Sequence, residues 1–227
     1  MTPLILSVET ATLSGSIAIN RGAEVLASSS GNPDVSHSNT LLADIDRLLS
    51  TTNLTIRDMD VFAVASGPGS FTGLRIGIAT IKALAATLSR SCIGVPTLEA
   101  IAHAAGPSAR TVAMLPAGRG EVFCQMFAIS SAGEPAELDQ PAHLPPQKMI
   151  ERYAEFSDIL WTGAGAQLYK TLIQEARGGE ARIVASDSAL AIHVAALALR
   201  QFATDTGFGP NDLHAIYVRP SDAELKF

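Results

Sequence analysis

The sequence predicts an α/β protein of two similar lobes, each a mixed five-stranded sheet with helices on both faces. Three observations carry this reading. Short apolar runs fit for strands alternate with stretches whose apolar residues recur at helical spacing. The order strand, strand, strand, helix, strand, helix, strand, helix is read once from the N-terminus and again beyond Gly106-Pro107. Finally, 227 residues with 47% hydrophobic and 17% charged side chains suffice to bury a sizeable core, as one large domain or two small ones.

Taken in order, Leu4 to Val8 and Ser14 to Ile19 are apolar runs, joined through Asn20-Arg21-Gly22 to Glu24 to Ser28. Together they read as an antiparallel three-strand meander with glycine as a turn residue. From Ser38 the period changes. Leu41, Leu42, Ile45, Leu48 and Leu49 line one side of a helix, with Ser38 or Asn39 as its N-cap. Val61 to Ala65 reads as a strand buried on both faces, followed by a Gly-rich turn and an Ala-rich helix from about Gly73 to Ser89. Cys92 to Val95 and a helix capped by Thr97 complete the first half.

In the second half, Thr111 to Leu115, Glu121 to Ile129 and a weaker strand after Gly133-Glu134-Pro135 precede a helix launched by Pro146. Asp158 to Thr162, a Gly163-Ala164-Gly165 loop, one helix to about Arg177, a strand Arg182 to Ala185 and a helix Leu190 to Ala203 follow. These runs set the lobes at residues 1–105 and 106–206. Right-handed parallel crossovers cover such a sheet on both sides. A duplicated lobe of this kind is the actin-like, or ribonuclease H-like, architecture of the actin, sugar-kinase and Hsp70 group, whose ATP lies between hairpin turns of the two lobes.

Composition excludes several function classes. A net charge of −6, with 16 Lys+Arg against 22 Asp+Glu, argues against a large basic nucleic-acid footprint, so any RNA is held by another chain. No apolar run reaches the roughly 18 residues of a membrane span, because Lys82 interrupts Ile76 to Leu88 and His193 interrupts Ala189 to Leu199. The start, Met1-Thr2-Pro3, carries no basic residue and Leu4-Ile5-Leu6 is short for an export signal, so a cytoplasmic protein is expected. Cys92 and Cys124 form no C-x-x-C pair and read as buried thiols. No two of the five histidines stand three or four residues apart, as a helical metal pair requires, so no intrinsic metal is expected.

Two segments carry candidate chemistry. In the first hairpin, Glu9 and Thr10 stand where actin-like proteins place an acidic residue and a glycine that meet a nucleotide's phosphates and magnesium, but here the glycine is missing. They are candidate nucleotide contacts, or simply a polar turn closing a core strand. The matching stretch Leu115-Pro116-Ala117-Gly118-Arg119-Gly120-Glu121 has no carboxylate at the strand end, and Pro116 removes an amide donor. Neither a Walker loop, nor a spaced G-x-G-x-x-G, nor a G-x-S-x-G elbow is present.

The strongest local pattern is Ser66-Gly67-Pro68-Gly69-Ser70-Phe71-Thr72-Gly73-Leu74-Arg75, between a buried strand and a helix. Gly67 and Gly69 permit positive φ around Pro68, Ser70 or Thr72 can cap the helix, and its N-terminus attracts anions. Gly73 and Gly77 put two residues without side chains on one helical face, open either to a second helix or to the chain's own sheet.

With this segment in view, the chain resembles the TsaB (YeaZ) family of bacterial subunits required to make threonylcarbamoyladenosine next to the tRNA anticodon. The resemblance is strongest from Ser66 to Gly77 and includes His37-Ser38 with Leu41-Leu42, Val95 to Ala100, Gly120-Glu121-Val122 and Ile216-Tyr217-Val218-Arg219. The chain departs from the family pattern at Glu9 and Ala11, at Pro116 and Gly118, at Phe123 and at Ala215. The resemblance implies an actin-like fold without independent catalysis, with residues 207–227 returning to the first lobe. It implies pairing with the catalytic paralogue TsaD through Leu41, Leu42, Ile45, Gly67, Pro68, Gly69, Ser70, Phe71, Thr72, Gly73, Arg75 and Gly77. It further implies a TsaE-type ATPase in the complex, ATP or ADP only at the level of that complex, tRNA reached only through it, and a homodimer when the chain is alone. The alternatives are a stand-alone ATP-dependent kinase or carbamoyl transferase, and a peptidase.

Overall fold

The computed structural model describes residues 2–32, 37–179, 181–185, 189–204 and 209–218; of residues 37–39 it describes the backbone. The Ser38 and Asn39 caps and Arg219 of the closing motif therefore lie outside the described side chains and residues. The chain divides into two compact units, Met1–Ala100 with Ser188–Ile216, and Ile101–Asp187 with Tyr217–Phe227.

The first unit contains β1 (Leu4–Glu9), β2 (Ser16–Arg21), β3 (Glu24–Ser30), α1 (His37–Thr51), β4 (Val61–Gly67), α2 (Phe71–Leu88) and β5 (Ser91–Pro96). The helix α3 (Thr97–Ala104) spans the division between the units. The sheet order is β3-β2-β1-β4-β5, five strands as expected. The meander pairs antiparallel, with Ser7 opposite Ala18, and β1, β4 and β5 run parallel because α1 and α2 make the crossovers. Every residue of β4 is buried, which is why Val61 to Ala65 shows no polar alternation. Ser70 caps α2 by accepting from the Gly73 amide at 3.2 Å, and Ser89 ends it in the left-handed region at φ 52°.

The second unit contains β6 (Ser108–Gly118), β7 (Glu121–Ile129), β8 (Pro135–Glu137), β9 (Ala142–Leu144), α4 (Pro146–Arg152) and β10 (Leu160–Thr162). It continues with α5 (Ala164–Leu168), α6 (Lys170–Ala176) and β11 (Arg182–Ile183). Its sheet has six strands in place of the five expected: β11-β10-β6-β7-β8, with β9 also on β7. β8 pairs with Phe127 to Ile129 and β9 with Val122 to Cys124. The gap between them is filled by Asp139, whose carboxylate accepts from the Met126 amide at 2.7 Å and from the Tyr153 hydroxyl at 2.9 Å. The single helix expected up to Arg177 is broken at Tyr169, which ends α5 and starts α6. Buried Trp161 and Tyr153 meet edge to face in the core of this unit, and burial pushes the Cys124 thiol up to about 11.

The last described helix, α7 (Leu190–Thr204), corrects the boundary expected at 206: it belongs to the first unit. Its buried residues Leu190, Ala191, Val194, Ala195, Leu197 and Ala198 pack on the first sheet. Two buried serines dock its start. Ser7 donates to the Ala191 carbonyl at 2.8 Å, and Ser16 accepts from the Ala191 amide at 2.9 Å. Val64, which pairs beside Val8, instead lies against the position of a Gly77 side chain on α2. Neighbouring strand residues point to opposite faces, so α7 and α2 cover the two sides of the first sheet.

Helix-start amides have no intrahelical acceptor, so Ser16 supplies the missing partner for Ala191. Ser16→Ala is expected to cost about 1–3 kcal/mol, seen as a lower denaturant midpoint at unchanged slope. An unchanged midpoint would mean that the Ala191 amide finds another acceptor.

Candidate functional site

The glycine-rich turn leaves β4 buried at Gly67 and Pro68 and comes to the surface at Ser70. Gly67 adopts φ +118°, and its amide donates to the Thr97 hydroxyl oxygen at 3.1 Å. A side chain at Gly67 would meet the Ile216 carbonyl oxygen at 2.4 Å, while the Ile216 amide donates to the Ser66 carbonyl at 2.7 Å. Pro68 is buried. The Ser70 amide donates to the Ala11 carbonyl at 2.8 Å, so the turn is held by the first hairpin on one side and by the C-terminal segment on the other.

The first glycine-bearing face of α2 follows the same logic. An added Cβ at Gly73 would lie 1.9 Å from the Thr10 carbonyl oxygen, and one at Gly77 would lie 2.2 Å from the Thr10 hydroxyl. That hydroxyl donates to the Gly73 carbonyl at 2.8 Å. The expectation that Gly73 and Gly77 meet a partner helix is therefore corrected. Their missing side chains admit the chain's own first hairpin, and Gly69 likewise admits Ala11.

Glu9 is only 2% exposed. Its carboxylate accepts from the Thr12 amide at 2.7 Å and from the Thr12 hydroxyl at 2.8 Å, which closes the hairpin on itself. Glu9 and Thr10 line a small pocket of about 30 Å³ of mixed character, with Ser14, Ser16, Asp44 and the apolar Ile17 and Leu41. That is room for about two waters. The Thr10 hydroxyl is taken by α2.

The expected partner residues separate into two groups. Leu41, Ile45, Gly67, Pro68, Gly73 and Gly77 are buried within the first unit. Leu42 is 65% exposed on α1, and Ser70, Thr72 and Arg75 are exposed around the start of α2. The Arg75 guanidinium lies 3.8 Å above the centre of the half-buried Phe71 ring, which holds this charge in place on the outer face. Ala79, Ala83 and Ala86 continue the exposed side of α2 at helical spacing. Among the described helices, α2 is long and apolar enough to cross a membrane; Leu74, Ile78, Ile81 and Ala85 of its apolar residues are buried within the unit. No three of His, Cys, Asp and Glu converge on one point among the described residues.

Sequence reasoning missed Leu13, 78% exposed at the hairpin tip, although a leucine between Thr12 and Ser14 in a polar turn was a visible signal. It also missed Lys82, whose ammonium donates to the Leu213 carbonyl at 2.9 Å. Thr97, expected as a helix cap, accepts from the Gly67 amide through its hydroxyl oxygen, at the end of the neighbouring strand.

Residues 33–206 match the model of the family described as "TsaD: tRNA N6-adenosine threonylcarbamoyltransferase". The chain is 29% identical to the tRNA threonylcarbamoyladenosine biosynthesis protein TsaB of Escherichia coli K12, over 98% of this chain and 97% of the relative. The TsaB of Bacillus subtilis 168 is 27% identical over the same shares. In fold, YeaZ from Pseudomonas aeruginosa superposes with a TM-score of 0.76 at 24% identity, over 95% of this chain and 99% of that one. With duplicated actin-like lobes, a glycine-rich turn braced from within and near full-length similarity, the chain belongs to the TsaB (YeaZ) family, within the wider family of TsaD-type threonylcarbamoyltransferase domains.

Proposed function

We propose that this chain is a non-catalytic partner subunit for threonylcarbamoyl transfer to the tRNA adenosine next to the anticodon, acting by binding and activating a TsaD-type paralogue. The observation that carries this reading is the division of labour along α1 and α2. The family's glycine-rich segment is consumed in fixing α2 against the first hairpin, while Leu42, Thr72, Arg75 and the alanine row of α2 are left facing solvent. An apolar, small-residue helical surface suits helix-on-helix packing at about 8–10 Å separation. Glu9 and Thr10, the candidate nucleotide contacts, are tied to their own hairpin and to Gly73. Binding to one arrangement of the paralogue shifts its population toward that arrangement without any reacting group being supplied.

On this reading the chain works in the cytoplasm, holds no cofactor of its own and uses no metal. ATP or ADP enters at the complex, a TsaE-type ATPase joins it, and tRNA is met only through it. Alone, the chain covers the same surface by forming a homodimer. The test is reconstitution of threonylcarbamoyl transfer with purified TsaD-type and TsaE-type proteins, with and without this chain, alongside an ATPase assay of the chain alone. Transfer is expected to vanish when the chain is omitted, and the chain alone is expected to be inert. ATP turnover by the isolated chain, or undiminished transfer without it, would replace this reading with a stand-alone kinase or transferase.

A further inference from the structure

The described C-terminal segment of the first unit, Gly209 to Ile216, crosses back to the end of β4 and the flank of α2. Gly209 and Asp212 close its first turn, the Asp212 carboxylate accepting from the Gly209 amide at 3.1 Å. Leu213 is buried, with its methyl 2.7 Å from where a Gly94 side chain would begin. Its carbonyl takes the Lys82 ammonium from the middle of α2. Three residues on, the Ile216 amide bonds the Ser66 carbonyl, and the Ile216 carbonyl fills the space beside Gly67.

These contacts sit on one side of the sheet. Gly94 pairs with Val64, which faces α2, so Leu213 wedges between α2 and the edge strand β5. Cys92, two residues from Gly94, shares that face, and both Lys82 and Asp212 lie close enough to act on its thiol electrostatically. The segment is thus clasped at three points: the edge strand, the middle of α2 and the root of the glycine-rich turn. No regular secondary structure holds it there, and a segment with few ladder bonds opens at lower free energy than the sheet it covers.

We propose that Gly209–Ile216 is a brace that docks over β5 and sets the glycine-rich turn, and through it the presentation of Phe71, Thr72 and Arg75 to the partner. Lys82 and Ile216 are its positioning residues. Undocking frees the Ser66 carbonyl and the space beside Gly67, so the turn loses the support on its C-terminal side, while the bonds to Ala11, Thr97 and Thr10 remain. The effect on partner affinity rests on the partner-subunit reading, whereas the docking itself does not.

Cys92 and Cys124 supply the assay, since both are buried thiols and Cys124 lies in the other unit. In the full-length chain, alkylation of each cysteine by iodoacetamide is timed by mass spectrometry for the wild type, Lys82→Met, Lys82→Arg and Ile216→Pro. Affinity for the TsaD-type protein is measured in parallel. Lys82→Met and Ile216→Pro are expected to alkylate Cys92 about tenfold faster, with Cys124 unchanged, and to bind the partner about fivefold more weakly. Lys82→Arg, which keeps a charged donor, is expected to behave as wild type. Wild-type Cys92 rates in both disrupted variants overturn the brace, as does a joint rise at Cys92 and Cys124, which reports general unfolding. Faster Cys92 alkylation with unchanged affinity overturns the link to the partner surface. If the wild type itself does not bind the TsaD-type protein, the proposed function fails while the thiol rates still decide the brace.

Discussion

Gly73→Ala is expected to destabilise the first unit by about 4 kcal/mol or more, enough to remove most folded protein from expression. The added methyl would stand 1.9 Å from the Thr10 carbonyl oxygen. Neither side can give: one is the backbone of α2, the other the end of β1. Thr10 is further pinned by its hydroxyl bond to Gly73 at 2.8 Å, and its neighbour Ala11 by the bond from the Ser70 amide. Gly77→Leu fails for a related reason, because its side chain would displace the Thr10 hydroxyl and press on Val64. Denaturant unfolding of both variants measures this. A wild-type midpoint combined with lost partner binding would return the glycine face of α2 to the interface.

The largest effect expected without loss of fold is at Leu42. With 65% of its surface exposed on α1, Leu42→Asp alters no core contact, so the melting temperature should stay within a degree or two. At a helical interface a charged replacement for an apolar anchor must be desolvated without a partner. The dissociation constant for the TsaD-type protein is expected to rise at least tenfold, about 1.4 kcal/mol, and threonylcarbamoyl transfer at limiting subunit to fall with it. Excess Leu42→Asp chain should restore transfer, since only assembly is weakened. Unchanged affinity would place the partner elsewhere on the molecule.

Much of the fold was legible because it rests on local rules. The run Val61 to Ala65 is too apolar for anything but a strand covered on both faces, and it is buried throughout. Of Leu41, Leu42, Ile45, Leu48 and Leu49, which recur at helical spacing, all but Leu42 are buried on the inner side of α1, Leu42 lying out on the solvent side. The strand read as ending at Leu115 runs on to Gly118, so the connection to β7 is only Arg119-Gly120, a two-residue hairpin turn with φ of 52° and 79°. Where a rule is non-local, the reading failed. Nothing in Leu190 to Thr204 states which sheet its apolar face will cover; the clue lay 175 residues away, in Ser16 as a polar residue at an inward strand position.

The candidate site divides along the same line. By itself, the sequence determined that the segment opening at Ser66 is a strand-to-helix turn, because glycine, proline and a hydroxyl cap impose backbone geometry within a few residues, and the resemblance of Ser66 to Gly77 to a family signature pointed to the family. It also determined the duplicated α/β architecture, through periodicities of about two and 3.6 residues that survive without any tertiary information. Only the tertiary structure decided what the glycines are for. A residue lacking a side chain records that something comes close but not what, and here the visitor is Thr10 and Ala11 of the same chain, not a second protein. It alone placed Lys82 and Ser66 against the C-terminal segment, since bonds between residues 131 and 150 positions apart leave no periodic trace. Contact across such distances is set by how whole layers pack, and packing responds to volume and shape that no single stretch of sequence contains.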